Sequence, residues 1–423
     1  MLKTKKSKAL YERAKRVLPA GVSYILRFME PYPFYTASAR GSKLLDVDGN
    51  EYIDFWMGHH ALILGHSPPA ILKVIRQQLA KGTHFGTSHE LEVALAEQTV
   101  KMIPSVDMVR FSNSGTEANM YATRLVRTYT GRDKIAKFEG GWHGGYDALH
   151  KAVKAPFDVP ESGGLTQGTL RDTVVLPFNN IGEVKKIMKT ERLAGVFIEP
   201  VLGAAGCIPA AKEFLKELRE LCSDNGVLLV FDEVITGFRL APGGAQDLYG
   251  VKADVTVLGK ILGGGFPIGA VAGRREIMER MDALRFERPK FAFHGGTFCA
   301  NPMTMAAGLA TLRLLEDGRM LAQLNKRGDR LRKELSEVFE RGKEAVQVTG
   351  LGSLWHTHFT KEVVKDANVA ARADKKKLES YHRFLLEKGV FFLPTKTGSL
   401  ASAHSQADLE KLLVETEGFL KQL

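Results

Sequence analysis

The chain has 423 residues, of which 44% are hydrophobic and 25% charged, too apolar for a disordered protein and too long for one minimal domain. Its net charge of +11 comes from 59 Lys and Arg against 48 Asp and Glu. The basic residues are spread along the chain without zinc-finger spacing or an RNP-like aromatic pattern, so they read as surface charge and no nucleic-acid partner is expected.

The N-terminal stretch MLKTKKSKALYERAKRVL predicts a charged helix; it lacks the apolar centre of a signal peptide. Its run Lys3–Lys8, like Lys375–Lys377 further on, reads as a solvated helix face or chain end. Aromatic, turn-rich sequence follows to about residue 60 and closes with DVDGNEYIDF, where Asp-Gly-Asn between apolar runs predicts a hairpin. Strands are then predicted at Met108–Ser112, Lys134–Phe138, Val174–Leu176, Gly195–Ile198, Val227–Phe231, Val255–Leu258 and Ala270–Gly273. Several are unbroken Val, Ile, Leu or Phe runs, the pattern of strands covered on both faces. Helices are predicted between them at Gly115–Thr130, with Glu117 in its first turn and Gly131 after its end, and at Ala211–Ser223. Past about Met305 come helices, short strands near Leu351–Phe359 and Val390–Leu393, and a final helix from about Gln406.

This alternation predicts an α/β fold: a large, mostly parallel sheet domain over residues 61–305, and a small α+β domain built from residues 1–60 and 306–423. The most apolar long stretch, Val255–Gly273, is interrupted by Lys260, Pro267 and glycines, so no membrane helix is expected. Cys207, Cys222 and Cys299 are sparse and lack metal-ligand spacing. They predict a reducing, cytoplasmic setting and no metal.

Four segments carry chemistry. SNSGTEA, Ser112–Ala118, follows a strand and opens a helix, so Ser114, Gly115 and Thr116 offer backbone N–H groups and hydroxyls to an anion. Small polar residues also merely cap helices there. Asp232, followed by Glu233, ends the apolar run VLLVF, and the C-terminal ends of parallel strands face the ligand crevice. Its plainer role is a helix cap or an ion pair. Lys260 stands in VTVLGKILGGGFPIG, where desolvation lowers a lysine pKa and favours Schiff-base chemistry; the plainer reading is a lysine snorkelling from a strand end. HGGTFCANP, His294–Pro302, adds Thr297 as a further anion ligand. With Trp142 in EGGWHGG as a flat group, or else a core aromatic, these are the parts a pyridoxal 5'-phosphate enzyme needs: a lysine for the aldehyde, an acid for the pyridine nitrogen, and a phosphate cup.

The segments LLDVDGNEYIDF, LGHSPPAI, MVRFSNSGTEA, TGRDKIAKFEGGWHG, FIEPV, VFDEVITGFR, LGKILGGGFPIGA, GGTFCANPMTMAAG and SAHS run nearly end to end. In this order they resemble the class III, fold-type I pyridoxal-phosphate aminotransferases, and among them the glutamate-1-semialdehyde 2,1-aminomutases. The resemblance implies that Lys260 holds the cofactor aldehyde and Asp232 the ring nitrogen. It implies Ser114, Gly115 and Thr116 as the phosphate cup, Trp142 on one ring face and Val234 on the other. Thr297 matches a threonine that reaches the phosphate from the neighbouring subunit, which implies a homodimer with shared active sites. Arg27 in AGVSYILRF matches an arginine that binds the substrate carboxylate, a task its planar fork suits. Amino acid and keto acid substrates follow.

Departures from the aminomutase pattern are also present. Ser23-Tyr24-Ile25-Leu26-Arg27 replaces N-S-P-V-R, and His59 and His60 stand in the segment Gly58–Ala61 where a tryptophan is usual. The gate segment reads KAVKAPFDVP instead of a Gly- and Ser-rich run. PTKTGSLASA, Pro394–Ala403, is about two residues short and carries Lys396 in place of a glutamate. These departures imply an open aminotransferase, and GHHALILGH resembles enzymes acting on aromatic or β-amino acids. The aminomutase that makes 5-aminolevulinate and a pyridoxal-phosphate-dependent amino acid racemase are the alternatives.

Overall fold

The computed structural model describes residues 2–285 and 287–423. The apolar runs of the central chain pair into one seven-stranded sheet. In spatial order the strands are Met108–Ser112, Gly269–Gly273, Val255–Gly259, Leu228–Asp232, Leu193–Ile198, Lys134–Phe138 and Thr173–Leu176. Gly269–Gly273 runs antiparallel to both its neighbours, and every other pair is parallel. Four of the strands, Leu193–Ile198, Leu228–Asp232, Val255–Gly259 and Gly269–Gly273, are buried at every position. That is why they read as unbroken apolar runs: helices cover both faces. This is the α/β architecture with a large, mostly parallel sheet that the sequence predicts.

Strand periodicity sorts the side chains between two cores. Val230 and Val257 join Ala118, Ala122, Leu125 and Val126 of the helix Gly115–Thr130. Leu229 and Phe231 join Phe214, Leu215 and Leu218 of the helix Lys212–Asp224 on the opposite face. The first of these helices has the bounds its sequence predicts, because Ser114 caps its start and left-handed Gly131 its end. One strand boundary matters for the site. The strand expected at Val227–Phe231 covers Leu228–Asp232, so Asp232 lies inside the ladder, opposite Val257.

The predicted hairpin forms from Lys43–Asp46 and Glu51–Asp54, and Val390–Phe391 adds to it in parallel. Both ends of the chain therefore share one four-stranded sheet. The single strand expected near Leu351–Phe359 is half of a second hairpin, Val346–Leu351 with Leu354–Phe359.

The N-terminal helix covers only Lys5–Ala14, and Met1 lies outside the described residues. Asp48 in the hairpin turn accepts the N–H groups of Lys6 and Ser7 at 2.7 and 2.8 Å, a carboxylate placed against the positive end of the helix. The basic run is thus not wholly solvated: Ser7 within it is buried. Likewise Lys377 pairs with Glu344 at 2.7 Å. Among the described residues no helix is long and apolar enough to cross a membrane.

Candidate active site

Parallel strands end on one side of the sheet, and the side chains just at those ends face a common crevice. Leu228–Asp232 delivers Asp232 there, its neighbour Leu193–Ile198 is followed at once by Glu199, and Val255–Gly259 is followed by Lys260. The helix Gly115–Thr130 points its N-terminus at the same place. These groups enclose a cavity of about 490 Å³. Arg27, Ser114, Gly115, Thr116, Trp142, Asp232, Val234 and Lys260 all line it. Thr297 does not; it is exposed in a separate cleft beside His84 and Asn301.

Asp232 is 3% exposed and rigidly held. Its Oδ2 accepts hydrogen bonds from Asn119 Nδ2 and His143 Nδ1, both at 2.8 Å, and its Oδ1 accepts the Val234 N–H at 3.0 Å. Burial pushes the His143 pKa down against the pull of Asp232, and His143 Nε2 has no partner among the described residues. Lys260 follows the strand in the left-handed region, φ 47°. That conformation costs a residue with a β-carbon roughly 1–2 kcal/mol, strain of the kind retained where function over-determines the backbone. Burial holds its amine below the ordinary lysine range, although Asp232 and Glu199 pull the other way.

Three more residues serve the site: Glu199 and Asn119 line the cavity, and Lys137 acts through the Trp142 loop. Glu199 is 3% exposed. Its carboxylate accepts the N–H groups of Trp142 at 2.7 Å and Gly203 at 3.2 Å. Desolvation and the neighbouring Asp232 charge push its pKa up to about 8. Lys137 is fully buried and donates to the Gly141 and Lys151 carbonyls at 2.7 and 2.5 Å, tying both ends of the Trp142 loop. Asn119 lies one helical turn beyond Gly115. The signals for these residues were in reach. Glu199 ends a buried strand in FIEPV just as Asp232 does, and His143 adjoins Trp142 in EGGWHGG. Lys137 carried no signal, since a strand lysine normally points to solvent.

The helix start divides its labour. Ser114 Oγ accepts the Glu117 N–H at 3.1 Å, and Glu117 Oε2 accepts the Asn113 N–H at 2.5 Å. The serine oxygen therefore caps the helix, while its hydroxyl proton is left to donate to an anion. The N–H groups of Gly115 and Thr116 stay unpaired among the described residues, at the end of the helix whose dipole favours an anion. A β-carbon on Gly115 would stand 3.1 Å from the Val234 methyls, so glycine lets Val234 close over the helix start.

At the mouth, Met57, Gly58, His59 and His60 have φ of 45°, 56°, 60° and 67°. Four successive left-handed residues, three of them not glycine, need outside support. Asp54 Oδ1 accepts the Trp56 and Met57 N–H groups at 2.8 and 3.0 Å. Fully buried Arg239 donates to the His60 carbonyl at 2.5 Å, to Ser353 Oγ at 3.0 Å and to the Leu400 carbonyl at 3.2 Å. His59 is thereby set against the cavity, its ring packed on Trp56 and Tyr24. Burial, with Lys260 and Arg27 nearby, pushes its pKa down to about 4 and keeps it neutral. Arg27 is exposed beside it. An amine, a fixed carboxylate and free N–H groups around one cavity fit a pyridine aldehyde that carries a phosphate.

Residues 27–400 match the aminotransferase class-III family. The chain is 41% identical over 427 residues to the glutamate-1-semialdehyde 2,1-aminomutase of Methanosphaera stadtmanae, covering 100% of each chain. An ω-transaminase from Sphaerobacter thermophilus shares its structure with a TM-score of 0.94 at 39% identity, over 98% of this chain and 97% of that one. A β-phenylalanine aminotransferase from Variovorax paradoxus gives a TM-score of 0.91 at 33% identity, over 99% and 94%. The matched span takes in every residue around the cavity, and with near-complete overlap in sequence and in three dimensions the chain belongs to the class-III aminotransferase family.

Proposed function

We propose that this enzyme uses pyridoxal 5'-phosphate to move an amino group from a carboxylate-bearing amino compound to an external keto acid. The observation that carries the reading is the convergence of Lys260, Asp232 and the start of the helix Gly115–Thr130 on one cavity. When bound, the cofactor supplies an aldehyde conjugated to an electron-accepting ring.

The chain's own residues do the rest. Lys260 binds the aldehyde and, with its lowered pKa, serves as the base that moves a proton at the substrate carbon. Asp232, oriented by Asn119 and His143, holds the proton on the ring nitrogen. Gly115 and Thr116 would hold the phosphate, and Trp142 and Val234 would pack against the ring. Glu199 keeps the Trp142 loop in register. Arg27 binds the substrate carboxylate at the mouth. In this reading the enzyme is a cytoplasmic homodimer, with Thr297 serving the cavity of the partner subunit.

Transfer to an external acceptor is supported by His59 at the mouth and by the sequence of the gate segment at 151–160, which departs from the Gly- and Ser-rich aminomutase pattern. The solved transaminases at 39% and 33% identity lend further support. The second reading is intramolecular exchange in glutamate-1-semialdehyde, giving 5-aminolevulinate. Similarity to a curated aminomutase over the whole chain favours it, and by overall similarity it has the stronger support. One experiment separates the two: offer an amino donor panel with pyruvate or 2-oxoglutarate, and glutamate-1-semialdehyde alone. Keto product from an external pair is expected. 5-Aminolevulinate formation with no transfer to any acceptor would establish the second reading instead. Arg27→Ala should raise KM for carboxylate donors about tenfold and leave simple amines unaffected.

A further inference from the structure

A second cavity of about 260 Å³ lies under the gate segment, and none of the residues lining the catalytic cavity lines this one. Three cations reach it from three parts of the chain: Lys154 from the gate segment, Lys375 from the first turn of the helix Lys375–Glu387, and Lys396 from the shortened C-terminal segment. Among the described residues none of the three makes an ion pair.

The strand Leu354–Phe359 adds His356 and His358, two residues apart and so on one face, with ring centroids 4.5 Å apart. His358 Nε2 is engaged with Thr349 Oγ1 at 3.0 Å and the Gly206 carbonyl at 3.2 Å. His356 is 7% exposed, and its Nδ1 has no partner. A buried polar atom left unpaired is costly, and native structures usually supply a partner. Asp374 is the one carboxylate in the lining, and its Oδ1 is occupied by the Lys377 N–H at 2.9 Å as a helix cap. Phe157, Phe359 and Leu378 make the remaining wall apolar.

Unpaired cations and an unpartnered imidazole beside an apolar wall match a charged head on a short hydrocarbon body. A fully hydrated inorganic ion would leave the apolar wall unused. We propose that this cavity is an accessory binding site for a small organic carboxylate, held by Lys396, Lys154 and His356. Its wall at Ala204 adjoins Gly203, whose N–H donates to Glu199 and whose carbonyl accepts the Thr397 hydroxyl at 3.3 Å. An occupant therefore sits next to the support of the Trp142 loop.

The test is calorimetric titration of butyrate into the Arg27→Ala holoenzyme, in which carboxylate binding at the catalytic mouth is weakened. Lys396→Met should weaken binding about tenfold, the loss of one charge-assisted contact, while Lys396→Arg retains it. His356→Phe in the same background should weaken it several-fold. Burial, with Lys154 and Lys375 nearby, pushes the Lys396 pKa down to about 8, and burial keeps His356 and His358 neutral. A carboxylate favours the protonated lysine, so affinity should fall as pH rises through about 8. Absence of butyrate binding to the Arg27→Ala holoenzyme would overturn the proposal. So would unchanged affinity when Lys396→Met is added to that background.

Discussion

In the proposed reaction the chemistry rests on Lys260, and its replacement is a sharp test. Lys260→Ala should keep native circular dichroism while turnover falls about a thousandfold or more and the visible absorbance of the bound cofactor changes. Retained turnover would remove Lys260 from the reaction. Glu199 makes a different kind of prediction. Its pKa is pushed from an ordinary 4.5 up to about 8, so the folded chain holds a proton that the unfolded chain releases. This stabilisation is complete below pH 4.5 and lost as pH rises through about 8. The melting temperature should decline across that window, and Glu199→Gln should flatten the decline. Parallel pH profiles for the two proteins would show that Glu199 does not carry it. Lys260 and Asp232 were legible because each breaks an apolar pattern. Lys137 was not, because only the fold shows that its position in the sheet faces inward.

At the scale of elements, the left-handed turn Met57–His60 is the feature with the most to lose. Arg239 holds it from below, and Arg239→Met would leave the His60 and Leu400 carbonyls buried without their donor. A loss of about 3 kcal/mol in denaturant unfolding is expected, since each orphaned buried group costs about 1–3 kcal/mol. A loss of less than about 1 kcal/mol would mean that the turn supports itself. The sequence showed that His59 and His60 were unusual at this place, but their handedness was invisible. Nothing local dictates positive φ at histidine; Asp54 and Arg239, far away in sequence, impose it. The helix Gly115–Thr130 and the hairpin ending at Asp54 are the opposite case. Their limits are set by Ser114, Gly131 and the Asp-Gly-Asn turn, signals within a few residues of what they control.

At the scale of the whole molecule, Thr297 lies outside its own chain's cavity, exposed, on a segment that includes exposed Phe293 and Phe298. If two subunits complete each other's sites, light scattering should give twice the chain mass. Thr297→Ala should then weaken cofactor retention about tenfold, the value of one contact to a charged phosphate, without unfolding the chain. A monomer that retains the cofactor fully would exclude this arrangement. The net charge of +11 receives a narrower meaning: most of it is solvated or paired, but Lys154, Lys375 and Lys396 are gathered around one cavity.

Local pattern was enough to determine the class of fold and the strands and helices of the central sheet, and to single out Lys260 and Asp232 as candidates. Buried runs, caps and turn residues act over a few positions, and chemistry-bearing residues stand out where they interrupt them. The order of the strands, the antiparallel direction of Gly269–Gly273, the joining of both chain ends in one sheet and the hand of the turn at His59 were decided only in three dimensions. So were the partners of Asp232 and the meeting of three lysines that are separated by up to hundreds of residues. Each depends on contacts between distant segments, and the free energy of those contacts belongs to the packed molecule, not to any stretch of the chain.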